Sequence, residues 1–190
     1  MKTTGFYTLI LLIVLVLASC KSEKEKQAID KIDSIKEQND EMVQKINGSF
    51  HDSVKLYIDS LTQLHAFFKD RKIEYLPENN KLRQALHQTR NAHKILDHYS
   101  NRHLESFNEK FEESNKQLLD LKQDIENSLL EDSLINEYVE KEDSAANFLK
   151  QRANELVEFT REHFKAYRDR KEDVNTLKAR IREAEENKQE

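Results

Sequence analysis

The chain has 190 residues, with 31 basic and 36 acidic side chains and a formal charge of −5, so it lacks the concentrated basic face that nucleic-acid binding requires. It holds two glycines, one proline, one cysteine and no tryptophan. Sheets, long loops, glycine-rich phosphate cradles and nucleophile elbows all need more breakers than that, and one cysteine alone excludes an internal disulfide or a Cys-x-x-Cys site.

The N-terminus reads as an export signal. Lys2 supplies a short positive region, Leu9 to Leu17 is an unbroken apolar run, and the small residues Ala18 and Ser19 precede Cys20. The run is shorter than the roughly 20 apolar residues of a spanning helix. Leu17-Ala18-Ser19-Cys20 resembles the lipobox of bacterial lipoproteins. That resemblance implies cleavage between Ser19 and Cys20, with diacylation of the Cys20 thiol and frequent acylation of the new amino group. Residues 1–19 are then a signal peptide and 20–27 a lipidated cysteine with a charged tether, leaving 28–190 as a helical bundle domain. The acyl chains would be of the palmitate type, and no thiol would remain for metal binding or nucleophilic catalysis. The tether Lys21 to Gln27 (KSEKEKQ) is loosely similar to the charged surface-export tag of Bacteroidetes lipoproteins, although lysines interrupt its acids.

From Ile29 onward the apolar residues recur at helical spacing. Outside the leader they form about a third of the chain, between the 2/7 of a coiled-coil seam and the 3/7 of a bundle face. Ile29, Ile32, Ile35, Met42 or Val43 and Ile46 predict a first helix over about 29–46, closed by a left-handed cap at Asn47-Gly48. Asp52 or Ser53 can cap a second helix over about 53–75, which Pro77 terminates. The predicted third helix, about 80–127, follows one stripe from Leu82 through Leu96, Tyr99, Leu104, Phe107 and Phe111 to Ile125. Its mean repeat of about 3.6 favours a straight bundle helix, with its weakest point at His98 to His103 (HYSNRH). Asn127 offers a left-handed cap. If Glu131 or Asp132 caps the next helix, Leu130 can pack back on Leu134 or Ile135 as a hydrophobic staple. A fourth helix is expected over about 132–186, its stripe running from Ile135 to Ile181, with a charged end that frays.

The order Leu121-Lys122, Asp124-Ile125-Glu126-Asn127, Leu130, Ile135, Tyr138-Val139, Glu142, Ala145 and Leu149 is similar to a segment of Bacteroidetes lipoproteins labelled viral A-type inclusion protein repeats. It covers about 30 residues and implies only a helix-turn-helix. The fold class is therefore all-α, an elongated antiparallel bundle of three to four helices, two short and two long, with coiled-coil-like composition. Helices one and two can run end to end or fold into a hairpin; Gly48 favours the hairpin.

Seven histidines raise a metal or haem alternative. The candidates are His65, His93, Asp97 and His163, with Met42 and His163 as a haem pair, since Met/His axial ligation occurs. No Glu-x-x-His or His-x-x-x-His pair is present, so the favoured assignment is partly buried polar residues at helix seams, with no metal site and no cofactor. Adjacent acids such as Glu112-Glu113 and Glu185-Glu186 point apart on a helix and make no acid/base pair. Phe67-Phe68, Phe107 with Phe111, and Phe164 with Tyr167 read as core. The mixed charges of Arg161 to Arg182 read as a solvated face held by local ion pairs.

The expected protein is a non-enzymatic scaffold, spacer or interaction module of the bacterial cell envelope. It would be anchored to membrane through Cys20, at the outer membrane on its periplasmic or outer face. Its partners would be the lipid bilayer and a protein or a second copy of itself, and not nucleic acid. The alternative is a periplasmic metal- or haem-binding bundle.

Overall fold

Helices form along the predicted apolar stripes, but the second starts at Ser49 rather than at a cap on Asp52 or Ser53, and the Ser53 hydroxyl donates to the Ser49 carbonyl at 2.8 Å within it. The computed structural model describes residues 22–69 and 80–187; the expected leader with its expected cleavage positions Ser19 and Cys20, and the segment 70–79 with Tyr75 and the expected stop at Pro77, lie outside them. The elements are α1 (Glu23–Asn47), α2 (Ser49–Lys69), α3 (Asn80–His98), a π-helical turn (Tyr99–His103), α4 (Leu104–Glu126), α5 (Asp132–Arg168) and α6 (Lys171–Glu186). The fold is all-α, and no strand occurs among the described residues. The chain divides into two compact units. One combines Met1–Gln38 with Ser114–Ala146, and the other combines Asn39–Glu113 with Asn147–Glu190.

In the first unit, α1 starts at Glu23, inside the charged stretch and six residues before the expected start. The cause is a capping box. The Glu25 N–H donates to Ser22 Oγ at 3.1 Å, and the Ser22 N–H donates to Glu25 Oε2 at 2.6 Å, satisfying two N-terminal donors reciprocally. Glu23 and Glu25 also place negative charge at the positive end of the helix. The core is Ala28, Ile32 and Ile35 from α1, Leu118 and Ile125 from α4, and Ile135, Val139 and Ala146 from α5. Lys122 Nζ lies 2.7 Å from both Asp33 oxygens and Lys31 Nζ 2.8 Å from Asp143. These are partly solvated cross-helix pairs that contribute little energy but match register.

The α4–α5 turn corrects the expected left-handed cap at Asn127. Ser128 holds the positive φ, at 54°, because Asn127 keeps a helical bond to the Gln123 carbonyl at 2.9 Å. Leu129 N–H then donates to Asp124 O at 2.9 Å and Ser128 N–H to Ile125 O at 3.1 Å. This is a Schellman closure. Leu130 packs against the cluster that contains Ile135, as the staple requires.

In the second unit, Gly48 alone separates α1 from α2, and it does not adopt the left-handed cap conformation: no glycine among the described residues has a positive φ. The Asp52 N–H donates to Gly48 O at 3.2 Å, continuing the helical bonding sense across the junction. A single residue without a left-handed φ cannot reverse the chain, so α1 runs into α2 nearly end to end and the expected hairpin is not formed. A Cβ at Gly48 would lie 2.8 Å from the Gln44 carbonyl oxygen, a close backbone approach that explains glycine there. α2 packs antiparallel to α3: Phe50 meets Tyr99 and, further along α2, His65 meets His93.

The long third helix is interrupted by the π turn, at the HYSNRH stretch expected to be weakest. The long fourth helix is not continuous over 132–186, because it breaks at Asp169-Arg170, where Arg170 has φ −111° and ψ 7°. None of Arg168 to Asp173 is buried, so nothing in the core holds the helical register there, while Tyr167 and Val174 on either side are fully packed. The core of this unit includes Met42, Ile46, Leu61, Phe68, Leu96, Tyr99, Phe111, Val157 and Leu177.

Leu118 is 0% exposed and Leu129 is 69% exposed. Leu118→Ala should lower stability by about 2–5 kcal/mol through lost transfer energy and a residual cavity, whereas Leu129→Ala should change it by no more than about 0.5 kcal/mol. Urea unfolding followed by far-ultraviolet circular dichroism checks both.

Candidate functional site

The candidate set His65, His93, Asp97 and His163 comes together only in part. His65 on α2 and His93 on α3 stack face to face, with ring centroids 4.7 Å apart and an interplanar angle of 4°. Thr62 Oγ1 lies 3.2 Å from His93 Nε2. His65 Nδ1 is buried without a hydrogen-bond partner among the described residues. Burial, and then the neighbouring His65, lower the His93 pKa from 6.5, with Asp97 opposing them. His163 is not part of this pair. Its Nδ1 lies 2.9 Å from the Phe159 carbonyl, which can only accept, so that nitrogen carries the proton and the ring turns back on its own helix. Among the described residues, no group of three or more His, Cys, Asp or Glu could hold a metal ion, and His163 stands apart from the His65–His93 pair. Met42 is buried in the second unit's core.

The aromatic clusters divide between core and surface. Phe111 is fully buried and Phe164 meets Tyr57 edge-on at 4.8 Å. Phe67 lies partly buried edge-on to Phe68, with Lys178 Nζ 5.4 Å and the Arg182 guanidinium 5.8 Å from its ring centre. Arg161 pairs with Glu158, Arg170 with Asp173, and Arg161 also lies over the Phe50 ring at 5.3 Å. Local pairing and cation–π contacts thus account for much of the charge along Arg161 to Arg182.

The π turn is the least regular part of the described helices. Leu104 N–H donates to Tyr99 O across five residues, the π pattern, which often marks functional positions. Tyr99 is 1% exposed and its hydroxyl donates to the Ile46 carbonyl at 2.9 Å. Burial pushes its pKa up to about 12, against the opposing charge of Arg161. On the outer side of the turn, His98 and His103 stand with ring centroids 6.2 Å apart and planes inclined at 32°. They share an open, mainly apolar pocket of about 210 Å³ with Lys94, Ile95, Leu156 and Phe159.

Sequence reasoning passed over His98 and His103 because five residues on an α-helix point well apart. The signal was nevertheless present: the apolar stripe steps by five from Tyr99 to Leu104, one residue more than a regular α-helical stripe allows.

His93 should bind its proton less readily in the folded protein than in the unfolded chain. Above about pH 6.5 both states are neutral and the packing is intact. As pH falls below 6.5 the unfolded chain takes the proton first, so stability declines down to the lowered native pKa. His93→Gln should flatten that decline relative to wild type, as measured by urea midpoints between pH 5 and pH 8.

No family model matches the chain, and neither does any curated protein or solved structure.

Proposed function

We infer that the protein is a lipid-anchored helical component of the bacterial cell envelope, acting without catalysis as a scaffold, spacer or interaction module. The observation that carries this is Leu17-Ala18-Ser19-Cys20 at the end of a nine-residue apolar run, followed by a chain folded as helices. Each buried methylene of an attached acyl chain contributes roughly 0.8 kcal/mol, so two or more chains hold a protein on a bilayer where one does not. Among the described residues no helix is long and apolar enough to cross a membrane; in this reading Cys20 is the point of attachment. The capping box at Ser22 and Glu25 supports a role in presentation. It starts α1 at Glu23, three positions after Cys20 in the sequence.

Non-catalytic action is supported by how the titratable side chains are used. Lys31 with Asp143 and Lys122 with Asp33 join helices, and Glu137 with Lys141 brace one face of α5. We place it at the outer membrane, at either face, as part of the same reading. A protein partner or a second copy is the expected binding target.

Cys20→Ala should move the protein from the membrane to the soluble fraction, or leave an uncleaved precursor, and should abolish incorporation of labelled palmitate. Fractionation of the variant with membranes at the wild-type level would refute the anchor.

A further inference from the structure

We propose that His98 and His103 form a two-histidine binding site for a borderline transition-metal ion such as Cu(II) or Zn(II), created by the π turn that joins α3 to α4. On an α-helix, successive residues are about 100° apart, so positions five apart point about 140° away from each other. A π turn closes its hydrogen bond over five residues and stacks such positions instead. The bond from Leu104 N–H to Tyr99 O has this spacing, and it brings the imidazoles of His98 and His103 to one side. The result is the π-helical counterpart of the i,i+4 histidine pair that binds metal on an α-helix.

The ring geometry fits a shared ion. With a metal–nitrogen distance of about 2.0–2.1 Å, each ring centre stands roughly 3.2 Å from the metal. Two ligating rings are then about 5.2 Å apart at a tetrahedral angle and about 6.4 Å apart when opposed. The observed 6.2 Å lies inside that range, near its opposed end, and rotation of the exposed His103 side chain would bring the rings toward the tetrahedral spacing. Among the described residues no hydrogen bond engages a ring nitrogen of either side chain, leaving their lone pairs uncommitted. His87, His93 and His163 by contrast each have a ring nitrogen at hydrogen-bond distance from a neighbour.

The turn that sets the spacing is anchored from behind by the buried Tyr99 hydroxyl on Ile46, so the pair is held by core packing rather than by a loose helix end. Imidazole nitrogens suit copper, zinc and nickel. Two ligands on an open pocket leave the remaining coordination positions to water or to a donor from a partner molecule. Lys94 on the pocket wall is exposed, and an ammonium on a flexible stem can turn to solvent when a cation binds.

The test is titration of the purified full-length protein with Cu(II), followed by calorimetry and electron paramagnetic resonance. Wild type should take up one equivalent more tightly than any other, with hyperfine structure from two nitrogens. Loss of a group that merely supports a ligand weakens metal binding roughly 10–100-fold, so His98→Ala and His103→Ala should each weaken that equivalent at least about tenfold. Each should also remove one nitrogen from the spectrum. His65→Gln with His93→Gln should leave it unchanged. Equal uptake by wild type and the His98→Ala/His103→Ala double variant would overturn the proposal, as would loss of the site in the His65/His93 variant. Circular dichroism verifies the fold, and the exposed His103→Ala is the variant that leaves the core untouched.

Discussion

The hydrogen bond from the Tyr99 hydroxyl to the Ile46 carbonyl is the interaction on which the second unit depends. Ile46 sits in the last turn of α1, where carbonyls have no intrahelical donor. Left bare in a core, such a group costs about 1–3 kcal/mol. Tyr99 supplies the donor, but to do so it must project inward at a fixed height beside the α1–α2 junction. Phe50 meets its ring edge-on at 5.6 Å, from the first turn of α2. One side chain therefore joins the end of α1, the start of α2 and the π turn. Together with Gly48, which keeps the chain running forward, it explains why the junction between the first two helices is a step rather than a reversal.

Because Tyr99 is held in place, the extra residue in the stripe has to be absorbed next to it. Leu96 and Tyr99 are buried on one side of the π turn, and Phe111 on the other, and an α-helix cannot keep all three inward across a five-residue step. Widening one turn does. The excess backbone is carried on the solvent side, where it changes the direction of His98 and His103. A packing requirement in the core thus generates the most chemically distinctive surface in this unit.

The first unit shows the same economy with different means. Its helices end on hydrogen-bonded motifs, the Ser22–Glu25 box and the Ser128 closure, and its core is built from small and branched residues, with Ala28 and Ala146 among them. Such a core buries modest apolar area, so caps worth about 1 kcal/mol each matter in proportion.

Much of this protein was legible in its residues. Few breakers and stripes of period about 3.6 specify helices, because only an α-helix lays such stripes on one face. Leu17 to Cys20 resembles a lipobox, and the proposed anchor rests on that resemblance alone. The sequence also held the capping box and the five-residue step from Tyr99 to Leu104, as local patterns. Tertiary structure alone decided the rest. Gly48 is compatible with a reversal or a step until Tyr99 reaches Ile46. Asn127 and Ser128 compete for one left-handed position until the last bond of α4 forms. His65 meets His93 while His163 turns back on Phe159, because register between helices is set by which buried side chains interlock, and spacing along one helix carries no record of that.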